Sequence, residues 1–208
     1  MKTVVFDFGA VLFHWQPVEL LQQAVPALAP DAAAARQLAV RIFDVLEPGS
    51  EWARFDLGLV DDEALAPRLA QRVGASEDDM RRVIAAIPPH MRPLPDSVAL
   101  LRRLKARGHR LFYLSNMPRS YAAYLTREHD VVPHFADGIF SAHVGLAKPD
   151  DAIFTLARER FGLVPADTVF LDDHPKNTEA ARRHGWQAVL FENAAQAERE
   201  LAASGWLG

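Results

Sequence analysis

Thr3-Val4-Val5-Phe6-Asp7-Phe8-Gly9 is the stretch that decides the fold. Three β-branched residues and an aromatic run straight into an acid, and a glycine follows two positions later. Such a run reads as a buried strand that stops at a turn. The signature returns twice. Residues 110–114 run into Ser115-Asn116, and residues 168–171 run into Asp172-Asp173. Further strands are expected near residues 138–141 and 187–191. Helical spacing fills the gaps. Residues 97–107 place Val98, Leu101 and Leu104 on one face, with Gly108 as the stop. Helices follow over 120–128, 150–161, 177–184 and 194–203. Strand and helix alternating in this way predict right-handed βαβ units and a parallel sheet, an α/β fold.

Between the first strand and the rest the character changes. Residues 17–88 are rich in Ala and Leu, with amphipathic spacing and no convincing strand. Asp31 is placed to cap a helix through Leu46, and Asp61 one ending near Gly74. Ser76 with Asp79 resembles a capping box for a helix ending near Ile87. Pro88-Pro89 and Pro93-Leu94-Pro95 then punctuate the chain. The division expected is a core of residues 1–15 and 89–208, with residues 16–88 as a helical insert.

Composition narrows the function. The chain has 208 residues, 50% hydrophobic and 24% charged, with a net charge of −4. That balance supports a packed core and argues against a nucleic-acid binder, which carries a basic footprint. There is no cysteine, which excludes disulfides, thiolate nucleophiles and Cys-ligated zinc. No apolar run approaches the roughly 20 residues of a membrane helix, and Asp7 comes too early for a signal-peptide core. The expectation is a cytoplasmic protein, monomeric or weakly dimeric.

Four polar clusters carry the chemistry: Asp7, Ser115-Asn116, Lys148 and Asp172-Asp173. Three follow strands, and ligands of open parallel sheets bind at the carboxyl ends of strands. Three carboxylates and one ammonium do not sit together without another cation. Oxygen ligands alone favour a hard ion such as Mg²⁺. The Ser115 hydroxyl, backbone N–H groups and Lys148 are all donors for phosphate oxygens. Each cluster also has a purely structural reading. Asp7 and Ser115-Asn116 suit turns, and Lys148-Pro149-Asp150 suits the start of a helix. Asp172-Asp173 is harder to dismiss, because adjacent acids after an apolar run repel.

The chain resembles the haloacid dehalogenase-like hydrolases. The resemblance rests on Phe6-Asp7-Phe8-Gly9-Ala10-Val11-Leu12, Leu114-Ser115-Asn116, Gly145-Leu146-Ala147-Lys148-Pro149 and Phe170-Leu171-Asp172-Asp173-His174-Pro175-Lys176-Asn177, in family order. It implies a Rossmann-like parallel-sheet core with an inserted helical cap of the C1 type. Trp52-Ala53-Arg54-Phe55-Asp56-Leu57-Gly58 is similar to a cap-loop segment of a subgroup that includes bacterial α-D-glucose-1-phosphate phosphatases. By resemblance, Asp7 is the nucleophile that forms an aspartyl-phosphate. Asp7, the Gly9 carbonyl and Asp173 hold Mg²⁺, with Asp172 in support. Ser115 and Asn116 bind the phosphoryl group, Lys148 neutralises it, and Asn177 orients the acidic loop. The implied substrate is a small phosphorylated metabolite; Trp52, Phe55 and Asp56 are expected as walls of its pocket, a setting that suits a sugar phosphate such as glucose 1-phosphate. An equal alternative buries Trp52 and Phe55 in the core of the insert.

Gly9 departs from the family pattern, which usually has an aspartate there as general acid. His14, Asp56 and His174 are the candidate substitutes, and His14 equally suits a packing role beside Trp15. Three rivals to a phosphatase stand: a metal-free 2-haloacid dehalogenase, a binding module with decayed catalysis, and a phosphotransferase. The paired acids at 172–173 count against the dehalogenase, and the costly charges at Asp7, Lys148 and Asp173 count against the decayed module.

Overall fold

The computed structural model describes residues 2–43 and 49–207. Strand β1 spans Thr3–Phe6. Helices α1 (Pro17–Ala24), α2 (Ala32–Phe43), α3 (Glu51–Asp56), α4 (Asp62–Val73) and α5 (Glu77–His90) follow. The chain then alternates through α6 (Pro95–Ala106), β2 (Arg110–Ser115), α7 (Arg119–Glu128), β3 (Asp137–Phe140), α8 (Ser141–Val144) and α9 (Asp151–Phe161). It closes with β4 (Thr168–Asp172), α10 (Pro175–Arg183), β5 (Gln187–Leu190) and α11 (Ala194–Ala203). The five strands form one parallel sheet in the order β3-β2-β1-β4-β5. The α/β reading holds, Rossmann-like with a helical insert after β1.

Period-two alternation divides the core. Val4 and Phe6 of β1 join Leu111, Val169 and Leu171 on one sheet face. Val5 joins Phe112, Leu114, Ile139 and Phe170 on the other, under α9 and α10. The first face is continuous with the interior of the insert, where Leu65, Leu69, Met80, Val83 and Ile87 are buried in the same cluster.

The caps explain most helix boundaries. Asp31 Oδ1 accepts the Ala33 and Ala34 N–H groups at 2.8 and 2.9 Å. Helix α2 is described to Phe43, so its expected end at Leu46 lies outside the described residues. Asp61 accepts Ala64 N–H, and Gly74 ends α4 in the left-handed region. Ser76 and Asp79 form the reciprocal cap of α5. Two features differ from the sequence reading. The segment around Trp52, similar in sequence to a cap-loop segment, is helix α3, capped by Ser50. Helix α5 does not stop near Ile87 but runs through Pro88-Pro89 to His90.

The insert is fastened over the carboxyl ends of the strands. Ser141 Oγ donates to the Asp56 carbonyl at 2.5 Å and accepts the Met117 N–H at 2.9 Å. Ser120 Oγ donates to Asp62 Oδ1 at 2.9 Å. Gly58 (φ +71°) makes this docking possible, since a Cβ there would lie 2.7 Å from the Ala142 carbonyl oxygen.

Candidate active site

β1, β2 and β4, the three central strands, bring the charged residues together. Asp7 directly follows β1, and its N–H still pairs with Leu171 O at 2.9 Å. The chain then turns, with the N–H groups of Leu12 and Phe13 both donating to Phe8 O. Phe8 anchors that turn. It is fully buried, with ring contacts to Phe13, Tyr113 and Phe140 at about 5 Å. Asp7 and Gly9, on either side of it, line a cleft of about 220 Å³. That is below the roughly 300–1,000 Å³ usual for drug-sized ligands and suits a small molecule. Ser115, Asn116, Lys148, Asp173, His174 and Asn177 line the same cleft.

Lys148 is the centre of the arrangement. Its Nζ is buried, 2.6 Å from Asp172 Oδ2 and 2.9 Å from Asp7 Oδ1, and 5.2 Å above the Phe170 ring centre. Burial alone pulls the lysine's pKa down, but Asp172 and Asp7 together outweigh it and hold the pKa above its ordinary value. The Lys148 backbone is pinned as well. Asn116 Oδ1 accepts its N–H at 2.8 Å, and Asn116 Nδ2 donates to its carbonyl at 2.9 Å.

The acids divide the work. Asp172 is fully buried and satisfied by protein donors. Its Oδ1 accepts from His174 N–H at 2.8 Å and from Asn177 Nδ2 at 3.0 Å. Its Oδ2 accepts from Lys148 and, at 3.1 Å, from Asn177. Asp7 is not satisfied in this way. Its Oδ1 is buried and takes no well-aligned hydrogen bond, although Lys148 lies near. Burial raises the Asp7 carboxyl above the usual carboxylate range, more than Lys148 lowers it. Asp173 opens to solvent at the cleft, yet its pKa is pushed up to about 7 by desolvation, then by Asp7 and Asp172. One oxygen from each of the three acids lies within 4.8 Å of the others. Three carboxylates crowded around one buried ammonium, an all-oxygen donor set, fit a hard divalent cation.

The helical insert forms the far wall. Trp52 and Asp56 line the cleft, with Trp15, Phe43 and Ile87. Asp56 is 6% exposed, and burial, then Asp7, raises its pKa to about 8 against the pull of Lys148. Phe55 does not line the cleft. It is buried between Trp52 and Tyr121, at ring distances of 5.5 and 5.3 Å, as the packing alternative foresaw. His14 is also elsewhere, against Glu19 and His90. His174 does line the cleft, with its Nδ1 accepting Lys176 N–H at the start of α10.

Sequence reasoning passed over Tyr121 and Ser141. Tyr121 forms part of the wall, and Ser141 joins the β2 loop to α3. An internal serine opening a four-residue helix has no signature in sequence.

Residues 1–185 match the haloacid dehalogenase-like hydrolase family. The chain belongs to that family. This haloacid dehalogenase-like hydrolase is 25% identical over 185 residues to the sesquiterpene phosphatase astK of Aspergillus oryzae, covering 88% of this chain and 86% of that one. It spans 36% to 86% of the length of the first curated relatives it matches. Among solved structures, it resembles a family enzyme of Bacteroides thetaiotaomicron in complex with magnesium and inorganic phosphate. The TM-score is 0.67 and the identity 20%, over 91% of this chain and 93% of that one. L-2-haloacid dehalogenase from Xanthobacter autotrophicus matches at a TM-score of 0.69 and 20% identity, covering all of this chain and 84% of that one. At such identities the shared property is the fold. Among the described residues no helix is long and apolar enough to cross a membrane.

Proposed function

We propose that this hydrolase is a Mg²⁺-dependent phosphatase of small phosphate monoesters, working through an aspartyl-phosphate on Asp7. The observation that carries the reading is one buried lysine shared by Asp7 and Asp172, with Asp173 beside them. A metal-free dehalogenase has no use for that crowding, since two of the acids are driven above the carboxylate range.

Asp7, the Gly9 carbonyl and Asp173 would hold the ion, with Asp172 acting through Lys148 and Asn177. When bound, the ion withdraws charge from the phosphoryl oxygens. The protein's own part is to orient Asp7 so that its oxygen attacks phosphorus. The new Asp7–phosphorus bond forms as the ester P–O bond breaks, and the alcohol leaves with a proton. Water then attacks the acyl phosphate, releasing inorganic phosphate and restoring Asp7. Lys148 lowers the cost of bringing an anionic substrate to an anionic nucleophile. Ser115 supplies a hydroxyl to the transferring group. The Asn116 carboxamide already serves the Lys148 backbone, so its contribution to substrate falls chiefly to its main-chain N–H.

Gly9 offers no side chain for the leaving proton. Asp56, protonated near neutral pH and facing the same cleft, is the substitute the geometry favours. Helices α1–α5 would then act as a cap hinged near residues 14–17 and 88–95. Trp52 presents an apolar wall and Asp56 an acceptor, which suits a sugar phosphate.

Phosphate release from a panel of sugar, nucleotide and alkyl phosphates tests the reading. Activity should require Mg²⁺, vanish in EDTA and vanish in Asp7→Asn with the fold intact. Turnover of 2-chloropropionate without metal would replace it with the dehalogenase.

A further inference from the structure

The two chain crossings between sheet and insert run side by side. Phe13 and Pro93 form an isolated antiparallel bridge. His14 N–H donates to Arg92 O at 2.7 Å, and Leu94 N–H to Leu12 O at 2.8 Å. His14 stands on the first crossing, and His90 ends α5 at the start of the second. Glu19 lies in the first turn of α1. Their side chains meet there. His14 Nε2 is 3.3 Å from Glu19 Oε2, and the two imidazole centres are 4.7 Å apart. One ligand-type atom from each of the three lies within 4.8 Å of the others. None of the three lines the catalytic cleft.

We propose that His14, Glu19 and His90 form a second metal site, for a Zn²⁺-class transition ion, that ties the two crossings together. The donor set decides the class. Two imidazole nitrogens and one carboxylate oxygen suit Zn²⁺ and its neighbours, whereas the all-carboxylate centre suits a hard ion. The spacing agrees. Bonds of about 2.0–2.1 Å in a tetrahedron set neighbouring ligands about 3.3 Å apart. His14 Nε2 and Glu19 Oε2 already hold that separation. The widest gap in the trio is at most 4.8 Å, so about 1.5 Å of side-chain movement completes the site.

The surroundings prepare each ligand. Gln23 Nε2 donates to Glu19 Oε1 at 3.2 Å, which leaves Oε2 to face His14. Outer partners of this kind orient metal ligands. Gln16 N–H donates to His90 Nε2 at 3.3 Å, a long bond that an ion taking that nitrogen would replace. A neutral imidazole is the form that binds metal. Glu19 and His90 also line an adjoining surface groove, which gives an ion access.

The test uses the full chain and Zn²⁺ alone, titrated by calorimetry in an Asp173→Asn background that weakens the carboxylate centre. One Zn²⁺ per chain is expected. His14→Ala and Glu19→Ala, each added to that background, should weaken binding about 10–100-fold or more. Both positions are partly exposed, so one variant stands if the other misfolds. Co²⁺ gives a second readout. The intense visible bands of a tetrahedral site should appear in the Asp173→Asn protein and disappear with either added substitution. Absence of Zn²⁺ binding in the Asp173→Asn protein would overturn the proposal, as would unchanged affinity in both added variants.

Discussion

The Tyr121 hydroxyl donates to the Ile84 carbonyl oxygen at 3.0 Å, and both groups are buried. Pro88, four residues beyond Ile84, has no N–H to fill that role. A helix carbonyl left free by proline on the insert is thus taken up by a residue of the sheet domain. The same tyrosine lines the cleft, so the fastening of the insert and the wall of the site share one side chain.

Tyr121→Phe should therefore cost about 1–3 kcal/mol, the penalty of an unpaired buried carbonyl. Pro88→Ala restores an N–H four residues from Ile84, so the loss should shrink in the double variant. Denaturant midpoints of the four proteins in the cycle measure this. Additive losses would show that Pro88 and Tyr121 are not coupled through Ile84.

Mg²⁺ affinity should depend on pH. Asp173, its pKa pushed up to about 7, is partly protonated near neutral pH without metal, and Asp7 is raised from its ordinary value. Binding must expel those protons, so the apparent affinity climbs as pH rises and levels off above about 7 for the Asp173 step. Calorimetry in two buffers of different ionisation enthalpy reads the protons released. Affinity constant between pH 6 and 8, with no buffer dependence, contradicts this.

Asp56 makes a prediction about stability as well as rate. Its carboxyl, 3.8 in its ordinary state, rises to about 8 in the fold. Between those values the folded state holds a proton that the unfolded state has lost, so Asp56 makes the protein less stable as pH rises from about 4 to about 8. Asp56→Asn removes the effect. Measured in EDTA, the variant should gain stability across that window, by on the order of a few kcal/mol at the upper end. It should also slow alkyl phosphates by about 10²–10⁴ and p-nitrophenyl phosphate much less, because only the poorer leaving group needs the proton. A flat stability difference, or equal slowing of both substrates, rejects the proton-donor role.

A Cβ placed at Gly9 meets nothing within 4 Å, so Gly9→Asp can be accommodated there. In the Asp56→Asn background it should restore alkyl phosphate hydrolysis and leave p-nitrophenyl phosphate nearly unchanged. Initial rates on the two substrates decide it. A uniform loss would mean that the added carboxylate disturbs the metal ligands instead of supplying a proton.

The parallel sheet was legible because its central strands announce themselves. Apolar runs ending in Asp7, Ser115 and Asp172 mark both the strands and the edge where ligands gather. Short or long-range features were not legible. Helix α3 has six residues, too few for a 3.6-residue period to register. Pro88-Pro89 reads as a stop, but α5 runs on to His90, and a partner outside the helix takes up the Ile84 carbonyl that Pro88 frees. His14 follows the first strand closely in sequence, which suggested the site. Its actual place is set by the pairing of Phe13 with Pro93, eighty residues away. Phe55 and Asp56 are adjacent, and successive helix positions point about 100° apart, so one packs on Trp52 and Tyr121 while the other meets the cleft.

The continuity of one sheet face with the interior of the insert governs how the molecule comes apart. Phe6, Leu171, Leu65 and Met80 belong to a single buried cluster. Separating the insert from the sheet exposes apolar surface on both sides at once, so neither part gains by melting first. Heating should yield one endotherm whose calorimetric and van't Hoff enthalpies agree, and a polypeptide of residues 16–90 alone should not retain a native fold. The insert is therefore not a module that could be transplanted intact.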